Sequence, residues 1–190
     1  MMIMNGYTFK IDSKFISAAY MVRQEWLTVI VKIFTNLASV VAVASITLFC
    51  VLFVKDWTLK IFALFNVGVA ALMNIVIKHI VKRPRPLVET LITETGYSFP
   101  SGHAMVAVAV FGFLAYIVYE TIRNKPIRLL LSGACVAVGV LIALTRVYLG
   151  VHYFSDILCG AMLGFAVVTI SIMGHKVMIT LASKKKRREH

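Results

Sequence analysis

Acidic residues are scarce in this chain: eight Asp and Glu stand against twenty Lys and Arg, for a formal charge of +12. A surplus of that sign suits a polyanion, but its placement argues against nucleic acid. The run Lys184-Lys185-Lys186-Arg187-Arg188 directly follows the last apolar stretch, where cations hold a helix end at an anionic cytoplasmic surface. The expected partner is therefore the bilayer, with no nucleic acid. Cysteine is scarce too. Cys50, Cys135 and Cys159 are isolated in apolar runs and have no CxxC spacing, which excludes the usual zinc and disulfide frameworks and reads as small buried hydrophobes. No signal peptide is evident at the N-terminus.

Apolar sequence is what the chain has in abundance. Its hydrophobic share of 60% and mean hydropathy of +0.88 far exceed the apolar share of about 45–50% in soluble domains. The expectation is an all-α, polytopic membrane helix bundle, with a length that leaves no room for a second domain. Uncharged runs predict five transmembrane helices: Ile33–Val54, about 61–81, about Ala104–Tyr119, Leu129–Thr145, and a last one ending near Met173. Residues 1–32 are expected to be an N-terminal interfacial segment with short helices at 15–22 and 26–31, because charges at Lys10, Asp12, Lys14, Arg23 and Glu25 interrupt every apolar piece. Residues 33–174 form the membrane domain and 175–190 a basic cytoplasmic tail. Asn66, Asn74, Lys78 and His79 in the second span should face other helices or a cavity, since lipid cannot satisfy them. Gly160 and Gly164 have the spacing for close helix packing within the bundle.

Three polar islands break the apolar pattern. In Tyr97-Ser98-Phe99-Pro100-Ser101-Gly102-His103, Ser101 is placed to cap a helix opened by His103. Gly102 would let an anion approach the backbone, and the free N–H groups of such a helix start suit a phosphate. An ordinary capped turn would use the same residues. The second island holds Arg146, His152 and Asp156. The four-residue step from His152 to Asp156 puts both on one helical face, so that the carboxylate fixes one ring nitrogen and leaves the other as nucleophile or base. A buried pair that only braces the bundle is the alternative. The third island holds Lys78 and Arg85, seven residues apart and close to one face if the helix persists to Pro84. They are candidates to clamp one phosphoryl group. For Lys82 and Arg83, snorkelling to the interface is the simpler reading.

Order and spacing of these islands resemble the type 2 phosphatidic acid phosphatase superfamily of membrane lipid phosphatases, similar in its site to vanadium haloperoxidases. The matching residues are Lys78-x6-Arg85-Pro86, Pro100-Ser101-Gly102-His103 and Thr145-Arg146-x5-His152-x3-Asp156. Thr145 stands where the family usually has Ser, and many bacterial members have a six-helix core, which here would require the N-terminal segment to span. The resemblance implies that Lys78, Arg85 and Arg146 bind phosphate oxygens, with Ser101 and the N–H groups of Gly102 and His103 completing the cradle. It implies that His152 attacks phosphorus, Asp156 stabilises its imidazolium, and His103 protonates the leaving oxygen and then activates water. Neither a metal nor another cofactor is expected, because cationic side chains neutralise the charge.

The expected reaction is removal of a terminal phosphate from a lipid phosphate or diphosphate. Undecaprenyl diphosphate, phosphatidylglycerophosphate, phosphatidic acid and a lipid A phosphate all fit, and the prenyl diphosphate ranks first because the site is expected to face outward. A phosphotransferase using the same phosphohistidine and a non-catalytic lipid-binding protein are the alternatives. Setting aside Lys78, Arg85 and Arg146, Lys and Arg number eleven on the tail side and six on the other. That bias puts the tail in the cytoplasm and the islands at the outer face of the cytoplasmic membrane. The sequence assigns no oligomeric state.

Overall fold

In the computed structural model, which describes residues 6–188, every regular element is a helix. The first five residues of the N-terminal segment and the last two of the tail lie outside the described residues. Seven α-helices follow in order: α1 (Gly6–Met21), α2 (Glu25–Thr35), α3 (Val40–Phe53), α4 (Trp57–Val81), α5 (Gly102–Thr121), α6 (Lys125–Tyr148) and α7 (Phe154–Arg188), with one 3-10 turn at Asn36–Ala38 between α2 and α3. Helices α4 to α7 are each long and apolar enough to cross a membrane. Glu25–Ala38 and Val40–Phe53 reach that length and hydropathy only as a pair bent by 52°, which makes them either one broken fifth span or a re-entrant loop.

That bend corrects the expected first span. The run from Ile33 to Val54 is not one straight helix: its first residues belong to α2, together with the piece at 26–31, and most of the rest to α3. Hydropathy sees a continuous apolar run, but Ser39 takes an extended backbone and its side chain accepts from the N–H of Ala42, starting α3 anew. A side chain that offers the backbone a cap competes with helix continuation in this way. The 14 residues of α3 rise only about 21 Å at 1.5 Å each. Crossing a core about 30 Å thick would therefore need α2 as well.

Helix α5 is the centre of the bundle, packed by α4, α6 and α7. Its small residues Ala104, Ala107 and Ala109 are fully buried and admit neighbouring backbones closely. Gly160 and Gly164 of α7 serve the packing expected of them: a side chain at 160 would come 2.7 Å from the Ser101 carbonyl, and one at 164 would strike the Met105 carbonyl. The outward faces carry exposed Leu130, Met162 and Phe165, as a bundle in lipid requires. Of the cysteines only Cys50 is buried; Cys135 and Cys159 are partly exposed.

The polar residues of α4 divide. Asn66 is buried and donates to the Ala109 carbonyl at 2.8 Å while accepting from Ser171, and Asn74 donates to the Pro100 carbonyl at 3.3 Å. His79 departs from the expectation: it is exposed in the last turn, its Nδ1 satisfied by the Ile75 carbonyl of its own helix at 2.8 Å. Helix α7 runs unbroken past Met173. His175, within the stretch read as tail, is buried against Tyr116 of α5.

Candidate active site

The C-terminal ends of α4 and α6 meet the N-terminal ends of α5 and α7 at one edge of the bundle, and the irregular 82–101 loop folds across them. Lys82 adopts φ +50° and terminates α4, so Lys78 and Arg85 do not share a helical face as expected. They converge by another route. Lys78 donates from α4 to the Tyr97 carbonyl at 2.6 Å, and Arg85, carried by the loop, donates to the carbonyls of Gly96, Thr95 and Val151 at 3.2, 2.8 and 2.9 Å. The chain at 95–97 thus fixes both cations at once.

Ser101 caps α5 as predicted, accepting from the N–H of Ala104 at 3.4 Å, and its own N–H donates to the Asp156 carbonyl at 3.1 Å. The second bond ties the start of α5 to the start of α7. Gly102 has a reason beyond ligand access: a side chain there would come 2.9 Å from Asn74 Oδ1. The N–H groups of Gly102 and His103, which precede the capped Ala104, have no partner within the helix and are available to an anion.

His152 and Asp156 are brought together, though not along a helix. His152 lies in the turn before α7 and Asp156 in its first turn, where Asp156 Oδ2 accepts from the Tyr153 N–H at 3.0 Å and lies 3.5 Å from His152 Nδ1. Arg85 Nη1 is 3.3 Å from the other ring nitrogen, Nε2. A guanidinium can only donate, so Nε2 carries the lone pair and Nδ1 the proton that faces Asp156. This is the tautomer a nucleophile needs. Burial lowers the His152 pKa from 6.5 and Arg85 and Arg146 add to this, against the opposing pull of Asp156. The shift favours the neutral ring. The acid limb of kcat/KM is expected below 6.5, and a limb above that value in a pH profile would contradict a neutral, buried nucleophile.

Arg146 is fully buried. Its Nη1 donates to Thr35 Oγ1 at 2.9 Å and its Nη2 to Glu94, while its Nε makes no hydrogen bond and remains a buried donor for an incoming anion. Glu94 also lies 3.5 Å from Arg85. Burial alone would raise the Glu94 carboxyl, but Arg146, His103 and Arg85 outweigh it and lower its pKa. Thr35 and Glu94 escaped the sequence reading. An acid in a loop flanked by basic islands was the only signal for Glu94, shared with Glu89 of the same loop, and nothing local marks Thr35.

Arg83 corrects the snorkelling assignment. It is only 8% exposed and donates to Asp156 Oδ1 at 2.5 Å, with Ser155 Oγ at 2.7 Å and Asp12 Oδ2 at 2.9 Å. Lys82 is exposed, in keeping with the expectation.

Two cavities meet at His103. One, of about 720 Å³, is an apolar groove between α3, α4 and α5 that ends at Asn74, Gly102 and His103. The other, of about 350 Å³, is polar and lined by Lys32, Thr35, Glu94, His103 and Arg146. Val40, Leu64 and Ile75 on the first are exposed at the outer surface of the bundle, so that groove is open to lipid.

The PAP2 superfamily pattern matches residues 57–177. In sequence the chain is 31% identical over 163 residues to phosphatidylglycerophosphatase B of Bacillus subtilis (strain 168), spanning 80% of this chain and 77% of that protein. In structure it is similar to the transmembrane PAP2 type phosphatidylglycerolphosphate phosphatase from Bacillus subtilis, with a TM-score of 0.79 and 27% identity over 92% of this chain and 89% of the other. It also shares its fold with Aquifex aeolicus LpxE, with a TM-score of 0.71 and 22% identity over 84% of this chain and 93% of the other.

Proposed function

From its membership of the PAP2 superfamily, to which the chain belongs, we propose that this membrane lipid phosphatase removes the terminal phosphate of phosphatidylglycerophosphate through a phosphohistidine at His152. One observation carries the reading: His103 is shared by an apolar groove open to lipid and a polar chamber that holds Arg146. A phosphorylated lipid has that shape, with its scissile bond at the junction. The Bacillus subtilis relative, named for phosphatidylglycerophosphate, moves this lipid ahead of the prenyl diphosphate in rank.

In the proposed reaction the phosphoryl group displaces the Glu94 carboxylate as partner of Arg85 and Arg146, and Lys78, Ser101 and the N–H groups of Gly102 and His103 complete the cradle. His152 Nε2 attacks phosphorus as the P–O bond to the lipid breaks, and His103 gives its proton to the leaving oxygen. The imidazolium proton on Nδ1 faces Asp156. Its 3.5 Å separation is expected to tighten as charge develops. Neutral His103 then takes a proton from water, whose oxygen attacks the phosphohistidine to release phosphate and restore His152.

The test is phosphate release in detergent from phosphatidylglycerophosphate, phosphatidic acid, undecaprenyl diphosphate and a lipid A phosphate, with and without a chelator. Phosphatidylglycerophosphate should be turned over fastest, with chelator making no difference. Preference for another lipid would overturn the substrate assignment, and phosphoryl transfer to an added alcohol in place of release would make the protein a transferase.

Orientation decides which leaflet supplies the substrate. Burial of Arg83 in an ion pair removes a further residue from the basic count of the site side, leaving five against eleven, so the tail is proposed to lie in the cytoplasm. Leu87 is fully exposed in the loop and Ser183 is exposed on α7. With the native cysteines replaced, Leu87→Cys should react in intact cells with an impermeant thiol reagent and Ser183→Cys should not. The reverse pattern would turn the site toward the cytoplasm.

A further inference from the structure

Asp12 and Arg83 have no place in the phosphate cradle, yet they form a buried chain that ends on the nucleophile. Asp12, 1% exposed, lies on α1, 144 positions before Asp156 in the chain (156 minus 12). Its Oδ1 accepts from the N–H of Ser155 at 2.8 Å, and its Oδ2 accepts from Ser155 Oγ at 2.8 Å and from Arg83 Nη2 at 2.9 Å. Arg83 Nη1 reaches Asp156 Oδ1 at 2.5 Å, and the guanidinium lies over the Tyr153 ring, 4.0 Å from its centre. Phe15, one turn on from Asp12, stacks on Phe154 with ring centres 3.7 Å apart. Helix α1 is therefore docked on the first turn of α7 by a polar and an aromatic contact.

The charges explain why a second carboxylate is present. Asp156 and Arg83 alone form a neutral pair and would offer little net attraction to the imidazolium that develops on His152. Asp12 brings the cluster to a net charge of −1, from −1, +1 and −1. The imidazolium then closes it to zero in the transition state, where such complementarity accelerates the reaction. Geometry adds to charge. With Oδ1 held by Arg83 and Oδ2 by the Tyr153 N–H, the Asp156 carboxylate has one orientation, and it presents Oδ2 to His152.

We propose that Asp12 and Arg83 are positioning residues for the His152–Asp156 pair, so that the docked N-terminal helix completes the catalytic apparatus. The inference rests on the assignment of His152 as nucleophile. It predicts that residues of α1, remote in sequence from every motif, act on the chemical step and not on lipid binding.

The test uses the full chain in detergent with an aryl phosphate, which frees it from the identity of the lipid, and compares Asp12→Asn, Asp12→Glu, Arg83→Lys, Asp156→Asn and the double variant Asp12→Asn with Asp156→Asn. Asp12→Asn keeps an acceptor for the Ser155 N–H, so α7 retains its cap. Its kcat is expected to fall about 10–100-fold, the range for residues that orient a functional group from behind, with little change in KM. Asp12→Glu should recover part of that loss, and Arg83→Lys, which keeps the charge but loses the fork, should resemble Asp12→Asn. The deciding comparison is the double variant. If Asp12 acts through Asp156, it should be no slower than Asp156→Asn alone. An equal fractional loss in both backgrounds, a wild-type kcat for Asp12→Asn, or failure of every Asp12 and Arg83 variant to fold would reduce the chain to a structural brace and overturn the inference. A wild-type protein that releases no phosphate from the aryl ester or any lipid would instead remove the phosphatase reading, and the inference with it.

Discussion

Replacing His152 with alanine is expected to abolish phosphate release while leaving the folded bundle intact. In the proposed reaction the ring contributes the atom that bonds phosphorus, and its neighbours cannot substitute: Arg85 and Arg146 are cations, and both Asp156 oxygens are engaged, Oδ1 by Arg83 and Oδ2 by the Tyr153 N–H. The structural cost is small because the ring touches polar partners only through Arg85 and Asp156. His103→Ala makes the contrast. A general acid contributes about 10²–10⁴-fold when the leaving oxygen is basic, and little when the leaving group departs unaided. The His103 variant should therefore recover on an aryl phosphate, and the His152 variant should stay inactive on every substrate. Equal losses for the two variants on both substrate classes would refute the division of roles.

The second large effect is expected at Arg146. Its burial is complete and its contacts to Thr35 and Glu94 fix the plane of the guanidinium. Arg146→Ala removes a preorganised cationic donor, a loss of about 10²–10³-fold in kcat by analogy with an oxyanion donor. It also leaves Glu94 facing Arg85 alone. Arg146→Lys restores the charge but cannot hold Thr35 and Glu94 while aiming a third donor inward, so it should recover only a small part of the activity. Steady-state kinetics on the aryl phosphate and on the preferred lipid would measure both variants. A fully active Arg146→Lys would mean that charge alone is used there, and that the fixed geometry around Thr35 has no bearing on phosphate binding.

The residues proposed from the three islands stood out in the sequence because they interrupt apolar runs, where a polar side chain has little reason to be unless it is used. Ser101 was readable as a cap from the residues beside it, and Gly160 and Gly164 from their spacing. The break at Ser39 was not legible, since it depends on one side-chain hydrogen bond inside a run of uniform hydropathy. The path from Lys78 to Arg85 was misread for a related reason: helix periodicity was extended through Lys82, whose left-handed backbone ends the helix three residues early. Arg83 illustrates the wider limit. Its neighbours in sequence place it at an interface, and the partners that bury it, Asp12 and Asp156, lie 71 and 73 positions away. Asp12 was visible only as an acid out of place in a short, mostly apolar and basic segment. Pairing it required the fold.

The central claim is that His152 becomes covalently phosphorylated, and trapping that intermediate tests it most directly. Enzyme in detergent would be mixed with ³²P-labelled phosphatidylglycerophosphate, quenched rapidly in alkali, and compared with the His152→Ala variant. The account predicts label on the wild-type protein that survives alkali, is lost in acid, and is absent from the variant. Phosphate release without any labelled protein at the earliest quench times, or label that persists in His152→Ala, would contradict it.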